Sequence, residues 1–273
     1  MTNNPQTESK KIAPIIRPIW PAPDHIYAGV TTRFNTETDK LYQQGNIAHH
    51  VGDDQQYVDQ NRKILTENEE LVSGATLNWQ WLDQHHGNHC VEIDRAKTNP
   101  LAADAVITSS PMTSCVVMSA DCLPILLTDA EGRQVAAMHA GWRGLANGIV
   151  SNTLALFRQA LITKGFPLSP IYAWLGPAIG PDHFEVGSDV KQAFCQKKHH
   201  VDLNYQQAFT PINDSKYLAD LYQLATLELH YCGIHHVYGG GFCTYCETER
   251  FFSYRRSHPT GRMASYIYRT NRI

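Results

Sequence analysis

The apolar positions of this chain fall mostly in short runs cut by Gly, Pro, Asp or Ser, with few long amphipathic stripes. Runs at 105–108, 115–119, 125–128 and 135–138 have the length of buried strands and lack the alternation of a half-exposed sheet. Further strands are expected at 26–32, after a Pro-rich approach, and at 171–175, 236–238, 251–254 and 263–268. Leu145, Ile149, Leu156, Phe157 and Leu161, closed by Lys164-Gly165, predict a helix over 145–163. Asp53-Asp54 cap a second helix over 55–71 that carries Asn61 and Arg62, and two more are expected at 186–198 and 216–231. Helices and strands do not alternate in βαβα order. The expectation is therefore an α+β fold, a mixed β-sheet sandwich flanked by helices, and not a Rossmann fold. Without a repeat or long linker, residues 14–273 read as one catalytic domain behind a disordered tail at 1–13.

Composition narrows the partners. The 273 residues are 42% hydrophobic and 18% charged, enough to build a substantial core. A net charge of -3 gives no general attraction to nucleic acid or to an anionic membrane, so a small-molecule substrate is expected. The first residues lack the apolar core of a secretory signal and no stretch is apolar for long enough to span a bilayer, which predicts a cytoplasmic protein. The seven cysteines are an odd number, which argues for reduced thiols.

Three segments carry the candidate chemistry: His86 in Trp-Leu-Asp-Gln-His-His-Gly, Cys122 in Ser-Ala-Asp-Cys-Leu-Pro, and His139 in Met-His-Ala-Gly-Trp-Arg-Gly. One thiolate and two imidazoles supply three ligands to a divalent metal, and an open fourth position is the mark of a catalytic zinc. Cys122 and His139 each sit at a predicted strand end, where loops on a rigid sheet commonly hold reactive groups. A metal-free pair, with Cys122 as nucleophile and His139 as base, uses the same two residue types, and at this level both readings stand. Asp121 either orients a ligand imidazole or caps the next turn. Arg33, Arg62, Arg143 and the Arg255-Arg256 pair are candidate anion contacts, since guanidinium matches phosphate. Cys243-Thr-Tyr-Cys246 has the spacing of a zinc ribbon or redox motif but no second such pair, and reads as buried thiols. His199-His200, beside Lys197-Lys198, reads as solvated surface.

Taken together the segments resemble the laccase-domain family, also called YfiH-like, polyphenol oxidase family or peptidoglycan editing factor. The resemblance rests on Thr31-Thr-Arg33, His50-Val-Gly-Asp-Asp54 with Asn61-Arg62, Trp81 to Gly87, Ala103-Asp-Ala105, Ser119 to Pro124 and His139 to Gly144. It continues through Leu175 to Pro181, Phe184 to Gly187, Cys243-Thr-Tyr245, Phe251 to Arg256 and Thr260 to Ser265. The chain departs from the family at 35–44, where a Gly-Gly-Val-Ser-like loop is usual, and at Asp182-His183, where a small residue commonly follows Gly-Pro.

The resemblance implies a mixed α/β sandwich shared with certain cysteine-dependent toxins. It implies that His86, Cys122 and His139 bind the metal, Zn2+ or alternatively Cu2+, and act in catalysis; Asp121, next to the cysteine, is added to the candidate catalytic set from its position alone. The implied activity is phosphorolysis of adenosine, inosine or methylthioadenosine to a free base and a sugar 1-phosphate, with adenosine deamination as a second reaction. The expected partners are purine nucleoside and phosphate, with the protein a monomer. Arg62, Arg143 and Arg255, with Asn46 and His50, form the candidate substrate set. Two further readings follow the family's other names: a copper-dependent polyphenol oxidase, and a hydrolase of wrongly built peptidoglycan precursors with Cys122 as nucleophile.

Overall fold

The computed structural model describes residues 14–33, 42, 45–196 and 203–271. The tail at 1–13, nearly all of the 35–44 loop and the His199-His200 pair lie outside the described residues. Two sheets form the centre. One runs in the order Ile15–Ile16, Ile26–Thr31, Met263–Arg269, Thr113–Ser119, Asn78–Gln80. The other runs His236–Gly239, Ile171–Leu175, Leu123–Asp129, Val135–Ala140, Ala105–Thr108, Cys90–Glu92. Both mix antiparallel and parallel pairs, such as Val135–Ala140 against Leu123–Asp129 and Ile171–Leu175 beside His236–Gly239.

The apolar runs lack alternation because both faces of each sheet are covered. Cys115 and Val117 point into the core between the sheets, with Val106, Leu126, Val135 and Ala137 from the opposite sheet. Val116 and Met118, one residue out of step, face outward with Tyr266 and Tyr268 against Leu65 of the Gln55–Ser73 helix. On the other side Ile125, Leu127, Ala136 and Met138 pack under Leu154 and Phe157 of Ile149–Thr163 and Leu224 of Leu221–Tyr231. Each period-two strand thus feeds two cores, and the expected α+β sandwich flanked by helices is what forms.

Four local expectations change. The predicted helix at 145–163 is two helices, Trp142–Ala146 and Ile149–Thr163, because Gly148 adopts φ 88° and breaks the turn. Arg143 therefore lies inside a short helix and not before one. The predicted helix at 216–231 begins only at Leu221, capped by the Asp220 side chain, which accepts from the Gln223 N–H. Lys216–Ala219 is a strand instead, paired with Glu185–Gly187 and Phe209–Pro211 in a small third sheet. Val186 belongs to that sheet, which shortens the next helix to Ser188–Cys195. Residues 251–254 form no strand, since the Arg256 guanidinium takes the carbonyls of Thr244, Tyr245 and Phe251 and holds the segment as a loop.

Candidate functional site

Cys122 ends the step by which the chain crosses from Thr113–Ser119 in one sheet to Leu123–Asp129 in the other. Both sheets therefore fix it. Antiparallel register pairs His139 with Pro124 and Ala140 with Leu123, which brings the imidazole to the same end of the sandwich. His86 arrives from the loop after Leu82–Asp83 with φ 59°, a left-handed conformation that costs a non-glycine residue on the order of 1 kcal/mol.

The Asp104 carboxylate holds that conformation. It accepts the N–H groups of His85 at 3.2 Å, His86 at 2.9 Å and Gly87 at 2.7 Å. The same group meets His139 Nδ1 at 2.9 Å, so one buried carboxylate orients both histidines and leaves the opposite nitrogen of His139 to face the thiol. The three donor atoms of His86, Cys122 and His139 lie within 4.8 Å of one another. Two glycines make room: a Cβ on Gly141 would stand 2.9 Å from Cys122 Sγ, and one on Gly144 would stand 2.8 Å from the Gly87 carbonyl.

Burial alone would push the Cys122 thiol up, but His139, joined by His86, outweighs it and brings it down to about 6. His139 moves the other way: burial would lower it, while Cys122 and Asp104 raise it to about 9. Without a cation, each member of the pair thus favours the charged form of the other. Cys115, buried, and Cys90, half-buried, lack such partners and move upward through desolvation, Cys90 to about 12. A thiolate and two imidazoles suit a borderline-soft divalent metal, and three donors are one short of a closed tetrahedral set. His139 is buried, Cys122 half-buried and His86 exposed, so the donor set climbs from the core to the surface.

The site opens into a cavity of about 500 Å³. His50, Arg143 and Arg255 line it, as does Arg262, with Trp142, Phe184 and Tyr254 as apolar walls. The Arg143 guanidinium lies over Trp142, 4.4 Å from the ring centre. Arg255 is held by its backbone N–H to Asp121 Oδ2 at 2.7 Å and by Nη1 to the Glu185 carbonyl at 3.0 Å. Asn46 and Arg62 do not line the cavity. Arg62 stacks 3.7 Å from the Trp81 ring centre and donates to the Ile47 carbonyl, while buried Asn46 accepts from the backbone of Arg262 at 3.0 Å. Asp121 lines the cavity but bonds neither imidazole; its oxygens accept from Thr244 and the Arg255 N–H, and Asp104 does the orienting instead.

The sequence model described as "Multi-copper polyphenol oxidoreductase laccase" matches residues 27–270. The chain belongs to this laccase family. A Pseudomonas aeruginosa member named purine nucleoside phosphorylase is 42% identical, the match covering 93% of this chain and 97% of that protein. YfiH of Escherichia coli K12, also named purine nucleoside phosphorylase, is 42% identical over 93% and 98% of the two chains. A Neisseria meningitidis crystal structure superposes with a TM-score of 0.83 at 40% identity, covering 94% of this chain and 99% of that one. YlmD from Geobacillus stearothermophilus superposes with a TM-score of 0.79 at 29% identity, over 91% and 93% of the two chains.

Set in this family's fold, three contributors stand out that sequence reasoning passed over. Asp104 had a signal, an acid between alanines at the start of a buried strand, where an unpaired carboxylate would be costly. Arg262 follows Thr-Gly, whose carbonyls it binds at 2.8 and 3.0 Å. Gln84 clamps the backbone of Met118 on both sides, at 2.7 and 2.8 Å, and steadies the strand that leads into Cys122. No spacing rule points to it.

Among the described residues, no helix is long and apolar enough to cross a membrane.

Proposed function

We propose that the protein is a metal-dependent purine nucleoside phosphorylase, with Zn2+ held by His86, Cys122 and His139. The observation that carries this reading is the convergence of those three donors with Arg143, Arg255 and Arg262 on one cavity. When bound, Zn2+ supplies a Lewis-acidic position at the cavity floor. The arginines neutralise phosphate and hold one of its oxygens against the anomeric carbon of the nucleoside. That oxygen forms the new bond while the bond from C1′ to the base nitrogen breaks, giving a sugar 1-phosphate and the free purine. Trp142, Phe184 and Tyr254 offer apolar faces to the base and exclude water that would otherwise compete with phosphate. His50, kept below its ordinary value by burial and then by Arg262, offers a neutral hydrogen-bonding ring in the same wall. Adenosine, inosine and methylthioadenosine are the proposed substrates, with adenosine deamination as a side activity, in a monomeric cytoplasmic enzyme.

Chromatographic assay of adenine or hypoxanthine release, with and without phosphate, tests the reading. Phosphate-dependent release that disappears in Cys122→Ala is the expected result, and release at the parental rate in that variant overturns it.

One observation favours a second reading. Cys122, His139 and Asp104 also form a nucleophile, base and orienting carboxylate, which suits a thiol hydrolase acting without metal. Under that reading chelation spares activity and thiol alkylation destroys it. Copper in place of zinc suits the same donors, but phenol oxidation by dioxygen calls for several coppers, and rapid phenol turnover with Cu2+ alone would favour it.

A further inference from the structure

Cys243 and Cys246, read from sequence as buried thiols, are half-buried and exposed, and all seven cysteines are unbridged. They do not stand alone. The small-residue position after Gly-Pro that this chain fills with Asp182-His183 lies directly against them. His183 Nδ1 is 3.4 Å from Cys246 Sγ and 3.9 Å from Cys243 Sγ, and the three donor atoms lie within 4.8 Å of one another.

We infer that His183, Cys243 and Cys246 form a second cation site of the zinc class, separate from the one at Cys122. Zn–S of about 2.3 Å and Zn–N of about 2.0 Å in a tetrahedron put sulfur and nitrogen roughly 3.5 Å apart. The two observed separations bracket that value.

Three further features fit a ligand set better than three unrelated side chains. The N–H groups of Gly180 and Cys246 donate to Cys243 Sγ at 3.3 and 3.4 Å and fix where that sulfur sits. In a Cys-x-x-Cys turn the second of these follows from the spacing. Tyr245 stacks on His183, ring centres 4.5 Å apart and 21° from parallel, and sets the plane in which Nδ1 faces the sulfurs. A Cβ at Gly180 would stand 3.0 Å from Cys243 Sγ, so that position must stay small for the turn to close on the thiol. The ligands are soft or borderline, which selects Zn2+ over Mg2+ or Ca2+. Three protein donors are one short of a tetrahedral set, and all three line the neighbouring cavity of about 710 Å³.

A cation there would join the Pro181–His183 turn to the 243–246 loop. Both touch the wall of the first site: Thr244 donates to Asp121, and Arg255 donates to the carbonyls of His183 and Glu185. The second site stands on its own donors and does not depend on the first being catalytic.

The test uses full-length protein stripped by chelator, kept under reductant, and titrated with Co2+, whose visible and near-ultraviolet bands report tetrahedral thiolate ligation. Cys122→Ala isolates the question. Uptake of one equivalent by that variant, abolished by adding Cys243→Ser and Cys246→Ser, is the expected result. No uptake by Cys122→Ala, or uptake that survives the two serines, overturns the inference. Cys246→Ser alone, an exposed change with no packing to lose, should still fold by circular dichroism and bind Zn2+ at the second site at least about 100-fold more weakly, more than an outer partner is worth. Undiminished binding by that folded variant also overturns it.

Discussion

The molecule carries two groups made of the same two residue types, and they are built differently. Cys122 and His139 are held by strands of the two packed sheets, His86 comes from the loop after Leu82–Asp83, and one carboxylate, Asp104, bonds the His139 ring and the backbone N–H of His86. His183, Cys243 and Cys246 sit on turns at the surface, positioned by backbone N–H groups and one stacked ring. Depth reverses the usual expectation about reactivity. The less accessible Cys122 is the acidic thiol, because the adjacent imidazoles outweigh burial, whereas exposed Cys246 is held above its ordinary value, first by its hydrogen bond with Cys243. Charge partners, more than solvent access, set which sulfur is ready to react.

The largest effect that would break this comparison is on turnover. Cys122→Ala should lower phosphate-dependent base release by more than about 100-fold, since a ligand matters more than the outer partners that tune it. Cys246→Ser should leave turnover within about two-fold. Equal losses in the two variants would erase the distinction between the groups.

Alkylation of metal-stripped protein sharpens it next. Only thiolate reacts, so the rate at Cys122 should rise as pH passes upward through about 6 and level off by neutrality. At Cys246 the rate should still be climbing beyond pH 9, and mass mapping of the adducts distinguishes the two. Cys90, pushed up to about 12 by burial, should stay unmodified throughout.

Asp104→Asn removes the negative charge that orients His139 and accepts three backbone N–H groups. Metal affinity by competition titration should fall roughly 10- to 100-fold, with a lower unfolding temperature. Gly141→Ala, which drives a methyl to 2.9 Å from Cys122 Sγ, should cost about 1 kcal/mol or more and loosen metal binding about five-fold or more. The smallest change is Arg262→Lys. Loss of the planar fork should raise KM for phosphate roughly five-fold with kcat little altered, and a kcat effect instead would assign Arg262 to the chemical step.

Much of the fold was legible because its cause is local. Asp54 and Asp220 accept backbone N–H groups at helix starts, and apolar runs of strand length became strands. The failures have causes outside the stretch that was read. Lys216–Ala219 has residues that tolerate a helix, yet pairing with Glu185–Gly187 and Phe209–Pro211 claims its backbone. Residues 251–254 look like a strand until Arg256 occupies the carbonyl groups around them.

The sequence alone determined most of the long buried strands and the capped helix starts, which residue types can bind metal and anion, and that a covered sheet lies at the centre, because propensity, capping and burial act over a few neighbouring residues. Only the tertiary structure decided that Asp104, and not Asp121, orients the histidines, that Arg262 joins the cavity while Arg62 braces a loop, and that His183 meets Cys243 and Cys246. The reason is distance along the chain: hydrogen bonds between residues 18 to 134 positions apart are set by sheet register and crossover, which no local pattern records.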